Sequence, residues 1–212
     1  MNSNRIAGLY AIADTSVMDE GHFVERTRAA LQGGASVVQY RDKKNEPALR
    51  LKQAQALRAL TSDFGAVLII NDDYRLAVAV EADGVHLGEE DGALISARDY
   101  FLANNLKDAL IGVSCYNQIA LAEVAERQGA DYVAFGRCFS STTKPGDRYV
   151  TQDQLAQARQ QLTVPVVAIG GITTANAAGL ITAGVDALAV IAALFCVEDS
   201  QQAAESFCQL LV

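Results

Sequence analysis

The sequence predicts an α/β fold, a closed (β/α)8 TIM barrel in which residues 1–212 make one catalytic domain, and three observations predict it. Short β-branched runs alternate with helix-like segments eight times within 212 residues. The strand candidates are apolar throughout, as strands buried on both faces of a parallel sheet must be. Gly-Ala or Gly-Val precedes several of them, at Gly34-Ala35, Gly129-Ala130 and Gly184-Val185, where glycine ends a helix in a left-handed conformation and lets the chain turn into a strand. An open doubly wound sheet usually manages with about five or six strands, whereas eight units in about 200 to 250 residues fit the closed barrel.

In chain order, the strands are expected at Arg5–Ala13, Ser36–Arg41, Val67–Ile70, Gly84–Leu87, Leu110–Ser114, Asp131–Phe135, Val166–Ile169 and Ala187–Ile191, each a short run rich in Val, Ile, Leu, Tyr or Ala. Helix-like segments lie between them at Gly21–Gln32, Pro47–Leu60, Asn117–Gln128, Gln152–Leu162, Thr174–Thr182 and Asp199–Leu211. No linker, low-complexity stretch or charge block breaks the pattern.

Composition narrows the function classes. Half of the residues are apolar and 20% are charged, which suits a globular chain. At this length roughly 70% of the unfolded surface is removed from water, so neither disulfides nor a structural metal is needed. Cys115, Cys138, Cys196 and Cys208 are far apart and form no CxxC pair, so they read as reduced thiols of a cytoplasmic protein. The start of the chain lacks the pattern of a signal peptide, and the longest apolar candidate, Ala187–Val197, is too short to span a bilayer. A net charge of −8 without a basic stripe argues against nucleic-acid binding, so any phosphate must be gripped locally.

Barrel active sites form at the C-terminal ends of the strands, and these ends are unusually polar here. Strand two ends Gln39-Tyr40-Arg41-Asp42-Lys43-Lys44, and a period of two places Gln39, Arg41 and Lys43 on one face, toward the mouth. Such a run elsewhere would read as a solvated turn; at this end of a barrel it reads as a grip for a strongly anionic group. Strand three ends Asn71-Asp72-Asp73 and strand four runs through His86-Leu87-Gly88-Glu89-Glu90-Asp91. Carboxylates beside a cationic phosphate grip suit Mg²⁺, which takes few protein oxygens and leaves the rest to phosphate and water. Asp72 and Asp91 are the expected ligands, and one of Asp72 and Asp73 is expected to cap a helix instead. His86 is expected to be a packed, hydrogen-bonded residue rather than a general base.

Strand five ends Gly112-Val113-Ser114, and strand six runs into the hydroxyl-rich loop Ser140-Ser141-Thr142-Thr143-Lys144, which has the composition of a closing lid. Strand seven ends Ile169-Gly170-Gly171-Ile172, with Thr173 expected to begin a helix whose bare amides meet a phosphate, and strand eight ends Val190-Ile191-Ala192. Loops seven and eight are the usual phosphate site of this architecture. Two anion sites facing one mouth, one of them with metal ligands, suit either the joining of two phosphorylated small molecules or the transfer of a group activated by diphosphate.

The series QYRDK, NDD, HLGEED, GVSCYN, GRCFSSTTK, AIGGI and AVIA falls on seven consecutive strand ends between Leu9 and Phe195 and resembles the thiamine-phosphate synthase family. The resemblance implies a transferase of thiamine biosynthesis. It would condense 4-amino-5-hydroxymethyl-2-methylpyrimidine diphosphate with 4-methyl-5-(2-phosphooxyethyl)thiazole, through a Mg²⁺-assisted carbocation mechanism that releases diphosphate. It implies that Gln39, Arg41, Lys43 and Asn71 hold the pyrimidine diphosphate, Asp72 and Asp91 the Mg²⁺, and Ser114 the pyrimidine side. Thr143 and Lys144, with Ser141 beside them, match the lid, and Gly171, Ile191 and Ala192 the thiazole phosphate site. Arg41, Lys43 and Lys144 would carry catalysis by neutralising the leaving charge. Its partners would be these two small molecules, with no nucleic acid and no membrane, and a homo-oligomer stays open. Three positions depart from the family pattern: Ser140-Ser141 for Pro-Thr, Glu89 for Gln and Ala192 for Ser.

Other classes fit less of the chain. A thiazole tautomerase-like paralogue lacks much of the pyrimidine grip present here. A non-catalytic thiazole phosphate binder would need only loops seven and eight. A phosphate-binding barrel of tryptophan biosynthesis would need an acid/base pair that is not evident at these strand ends.

Overall fold

In the computed structural model, which describes residues 5–88, 94–140 and 149–211, the eight apolar runs form a closed, all-parallel barrel in chain order. Its strands are β1 (Gly8–Asp14), β2 (Val37–Arg41), β3 (Val67–Asn71), β4 (Gly84–Leu87), β5 (Leu110–Tyr116), β6 (Tyr132–Gly136), β7 (Val166–Ile169) and β8 (Ala187–Val190). The helices are α1 (Phe23–Gln32), α2 (Pro47–Phe64), α3 (Tyr74–Ala79), α4 (Leu94–Ala103), α5 (Ile119–Arg127), α6 (Gln152–Gln161), α7 (Ala178–Thr182), α8 (Ala192–Phe195) and α9 (Ser200–Leu210).

Alternate residues of each strand feed two separate cores, which is why the runs are apolar without alternation. Tyr10, Ile12, Val37, Val67, Ile69, Leu110, Tyr132, Ala134, Val167, Ala187 and Ala189 fill the barrel interior. Leu9, Ala11, Val38, Leu68, Ile70, Ile111, Val133 and Leu188 pack outward against helix residues such as Phe23, Leu57, Phe101 and Leu180.

Boundaries differ from the expected ones for local reasons. β1 starts at Gly8 rather than Arg5, because Gly8 sits at φ +84 and Arg5 is tied to Asp83 by an ion pair. α2 runs a turn past Leu60 and stops at Gly65, a left-handed C-cap at φ 64 and ψ 23. α3, capped by Asp73 accepting from Leu76 N at 2.9 Å, is the helix that a capping Asp72 or Asp73 implies, whereas the sequence hid the single-turn α8. α4 was also not expected; its apolar residues do not fall on one face clearly enough to mark it.

The helix expected from Thr173 does not begin there. Asn176 Oδ1 accepts from Thr173 N at 2.8 Å and its Nδ2 donates to the Gly171 carbonyl at 3.0 Å, closing a turn that delays α7 to Ala178.

The N-terminal end of the barrel repeats one device. Asp83, Asp131 and Asp186, just before β4, β6 and β8, each accept a backbone amide from the preceding strand: Leu68, Ile111 and Val166, at 2.7–2.9 Å. Each also pairs with an arginine of the helix that leads into that preceding strand, Arg58 of α2, Arg98 of α4 or Arg159 of α6. Before β2 the same place is taken by Ser36, whose hydroxyl donates to the Ala7 carbonyl. Two residues earlier stand Gly34, Gly129 and Gly184, all at positive φ, and the one non-glycine, Glu81, at φ 53.

Candidate active site

The interior alternation continues past the apolar layers. The next inward positions toward the C-terminal ends are Gln39 and Arg41, Asn71, His86 and Ser114, and all five line one cavity of about 610 Å³ at the mouth. The opposite wall is made by Gly170, Gly171, Ile172 and Thr173 after β7 and by Ile191, Ala192 and Ala193 after β8. Tyr10 and Tyr132 form its floor. Gln39, Arg41, Asn71, Ser114, Gly171, Ile191 and Ala192 therefore converge as expected.

Several of these polar groups are held by specific partners. The Arg41 guanidinium pairs with Asp14, which is 1% exposed and also accepts from Ser16 N at 2.8 Å. Lys43 Nζ lies 3.2 Å from Asp72 Oδ2, and both stand outside the cavity lining proper. Lys43 is presented by a turn built on Asp42, which accepts from the Lys44 and Asn45 amides, the Asn45 side chain and Tyr40 OH. Burial pushes the Asp42 carboxyl up, and these hydrogen bonds outweigh it, so the group sits below the usual carboxylate range.

The Asp72–Asp73 pair divides its roles. Asp73 caps α3 and pairs with Arg50 at 3.0 Å, while Asp72 turns the chain at φ 65 with its carboxylate toward Lys43. His86 is hydrogen-bonded through both ring nitrogens, Nδ1 to Tyr132 OH at 3.1 Å and Nε2 to Ser114 Oγ at 2.9 Å, as expected of a packed residue. Asp91, Ser141, Thr143 and Lys144 lie outside the described residues, as does Glu89.

On the far wall, a Cβ on Gly171 would lie 2.4 Å from the Ser140 carbonyl oxygen, so the loop after β7 packs backbone to backbone against the loop after β6. The Gly171 and Ile172 amides donate to no described carbonyl. Ala192 and Ala193 open the first turn of α8, where amides have no intrahelical acceptor. Thr173 N is occupied by Asn176, so it is not a bare donor. Burial pushes the Cys115 and Cys138 thiols up to about 12, which removes both as nucleophiles.

Sequence reasoning missed Tyr10, Tyr132, Tyr116 and Arg137, all in the cavity wall. Tyr10 and Tyr132 could have been found by the period of two, which puts both inward on β1 and β6.

The arrangement can hold a polyanion against Arg41, with Lys43 nearby, and a second phosphate on backbone amides opposite, with a floor of buried tyrosines between. Comparison with known proteins agrees. The family model of thiamine monophosphate synthase matches residues 9–194. The thiamine-phosphate synthase of Nitrosococcus oceani is 48% identical over 207 residues, covering 98% of this chain and 94% of its own length. That of Methylobacillus flagellatus is 49% identical over 205 residues, 97% of this chain and 95% of its own. The solved thiamine phosphate pyrophosphorylase from Pyrococcus furiosus superposes with a TM-score of 0.88 at 34% identity, covering 100% of this chain and 98% of that one. A geranylgeranylglyceryl phosphate synthase from Thermoplasma acidophilum, at TM-score 0.74 and 15% identity over 99% of this chain and 95% of its own, shares the fold alone.

Proposed function

The chain belongs to the thiamine monophosphate synthase family, a family of transferases that form thiamine phosphate, and on that premise we propose which residues do the work and how. The bond from the pyrimidine methylene to the diphosphate oxygen breaks first, and its electron pair leaves with diphosphate. The lone pair of the thiazole nitrogen then forms the new C–N bond to the pyrimidine cation.

Gln39, Arg41, Lys43 and Asn71 bind the pyrimidine diphosphate, and Ser114 contacts the pyrimidine. Arg41 and Lys43, joined by Lys144 of the loop after β6, neutralise charge that grows on the leaving group, a contribution made mainly in the transition state. Gly171, Ile191 and Ala192 hold the thiazole phosphate, chiefly through backbone amides, with Ser141 and Thr143 contributing from the loop. The floor of buried, neutral side chains keeps water from the cation.

Mg²⁺ fits the donor set: Asp72 offers a hard oxygen beside the cationic grip, and an ion of this kind needs about one or two protein carboxylates because phosphate and water complete its shell. Asp72 and Asp91 would hold it, and when bound it supplies positive charge to the diphosphate. No helix among the described residues is long and apolar enough to cross a membrane. That, four free thiols and small phosphorylated substrates support a cytoplasmic enzyme whose single domain spans residues 1–212.

The observation that carries this reading is the convergence of Gln39, Arg41, Asn71 and Ser114 on one cavity whose other wall is the amide-rich pair of loops after β7 and β8. Mixing both phosphorylated substrates with the protein and Mg²⁺ should yield thiamine phosphate and diphosphate in equal amounts. Release of diphosphate without thiamine phosphate would refute it.

A further inference from the structure

Between the two groups placed on the pyrimidine, Gln39 and Ser114, runs a continuous line of buried hydrogen bonds. Gln39 Nε2 donates to Tyr10 OH at 2.8 Å, Tyr10 OH lies 2.9 Å from Tyr132 OH, Tyr132 OH lies 3.1 Å from His86 Nδ1, and His86 Nε2 lies 2.9 Å from Ser114 Oγ. Tyr10 and Tyr132 are 1% and 0% exposed, so neither hydroxyl can turn to bulk water.

The direction of the line follows from counting protons. Each phenol has one to give. Tyr10 accepts from Gln39, and among the described residues its only acceptor is Tyr132, so its proton goes there. Tyr132, having accepted, must give its own proton to His86 Nδ1. A nitrogen that accepts carries no proton, so the neutral ring bears its hydrogen on Nε2 and donates to Ser114. The opposite direction would leave a fully buried phenol proton without a partner, which costs about 1–3 kcal/mol. Burial pushes both phenols well above their ordinary value, so they stay protonated and the line stays intact.

We propose that Tyr10 and Tyr132 are positioning residues that fix His86 as the neutral Nε2–H tautomer, so that the Ser114 hydroxyl, already accepting from His86, must donate its own proton to an acceptor on the bound pyrimidine. This rests on the placement of the pyrimidine beside Ser114 given above. The tyrosines touch no reacting atom; they act through the imidazole. The ring planes support the arrangement, since His86 stacks on Tyr132 at 5.6 Å between centroids and 28° between planes.

The tautomer is read by ¹⁵N NMR of the whole protein without substrate. The chain has two histidines, His22 and His86, and a His22→Gln variant separates their signals. His86 should show an unprotonated Nδ1 and a protonated Nε2; a protonated Nδ1 in the wild type overturns the proposal. Tyr132→Phe should let the ring take its proton on Nδ1 and should raise KM for the pyrimidine diphosphate about fivefold, the loss of one neutral hydrogen bond, with KM for thiazole phosphate unchanged. Tyr10→Phe should do the same more weakly. Unchanged pyrimidine KM in both variants refutes the positioning role. If the wild type fails to make thiamine phosphate while His86 shows the expected tautomer, it is the assigned reaction that fails and not the hydrogen-bond line.

Discussion

The ring of Tyr132 occupies the space that a side chain on Gly112 would need: a Cβ there would lie 2.0 Å from Tyr132 Cζ. Glycine at this inward position of β5 is what allows the floor of the site to be aromatic. Gly112→Ala should therefore force the ring off its rotamer, at about 1–3 kcal/mol, and lower Tm by several degrees. The same change should break the contact to His86. Differential scanning calorimetry with pyrimidine KM on one sample checks both effects.

Activity should require a divalent ion. Asp72→Ala and Asp91→Ala should each lower kcat severely, because each removes one anionic ligand from an ion with few. Turnover that survives a chelator would disprove the metal assignment.

Arg41→Ala should reduce kcat as well as raise KM for the pyrimidine diphosphate, because leaving-group charge grows as the bond breaks. It should also cost about 3–5 kcal/mol of stability by stranding the buried Asp14 carboxylate. Asp14→Asn in the same chain should restore much of the stability and none of the kcat. Urea melts and steady-state kinetics on the two variants separate the roles, and a change confined to KM would mean that Arg41 binds only the ground state.

At the thiazole phosphate site, Gly171→Val should abolish binding, since its Cβ would meet the Ser140 carbonyl and its backbone needs φ 63. Ala192→Ser should tighten binding only about fivefold, the value of one neutral hydrogen bond. Calorimetric titration with thiazole phosphate reads both. A folded Gly171→Val protein that binds like the wild type would move the phosphate elsewhere.

Asp83 gives the acid limb a definite sign. Burial pushes its carboxyl up, but the Leu68 amide, Arg58 and Arg5 more than compensate, so the group lies below its ordinary 3.8. A lowered folded value means stability that is present above the unfolded pKa and is lost as pH falls through the folded one. Tm of Asp83→Asn should fall short of the wild type above about pH 4 and converge with it in stronger acid.

The barrel and half of its site were legible because they rest on local rules. Two-sided burial made each strand a plain apolar run, and the period of two carried Gln39 and Arg41 to the mouth, though it also pointed there to Lys43, which pairs with Asp72 outside the cavity lining. That Asp73 rather than Asp72 caps α3 was not legible, because the choice is made by φ 65 at Asp72 and by Arg50, which lies 23 residues from Asp73 in the chain. The turn at Thr173–Ala177 was misread as helix because Asn176 bonds backward to the amide of Thr173 and the carbonyl of Gly171, a preference that competes with helix at each Asn. The link between Tyr10 and Tyr132 was not legible, since nothing local joins residues 122 positions apart.

The aspartate clips before β4, β6 and β8, with Ser36 before β2, mark the barrel off into four like quarters, each a pair of strands clipped together from below. None of the clip residues lines the reactive cavity. The molecule thus keeps its fastening and its chemistry at opposite poles, so drift in the loops of the mouth can change what is bound while the fastening that closes the barrel is left alone. A lineage carrying this plan can explore new substrates without first surviving a loosened fold.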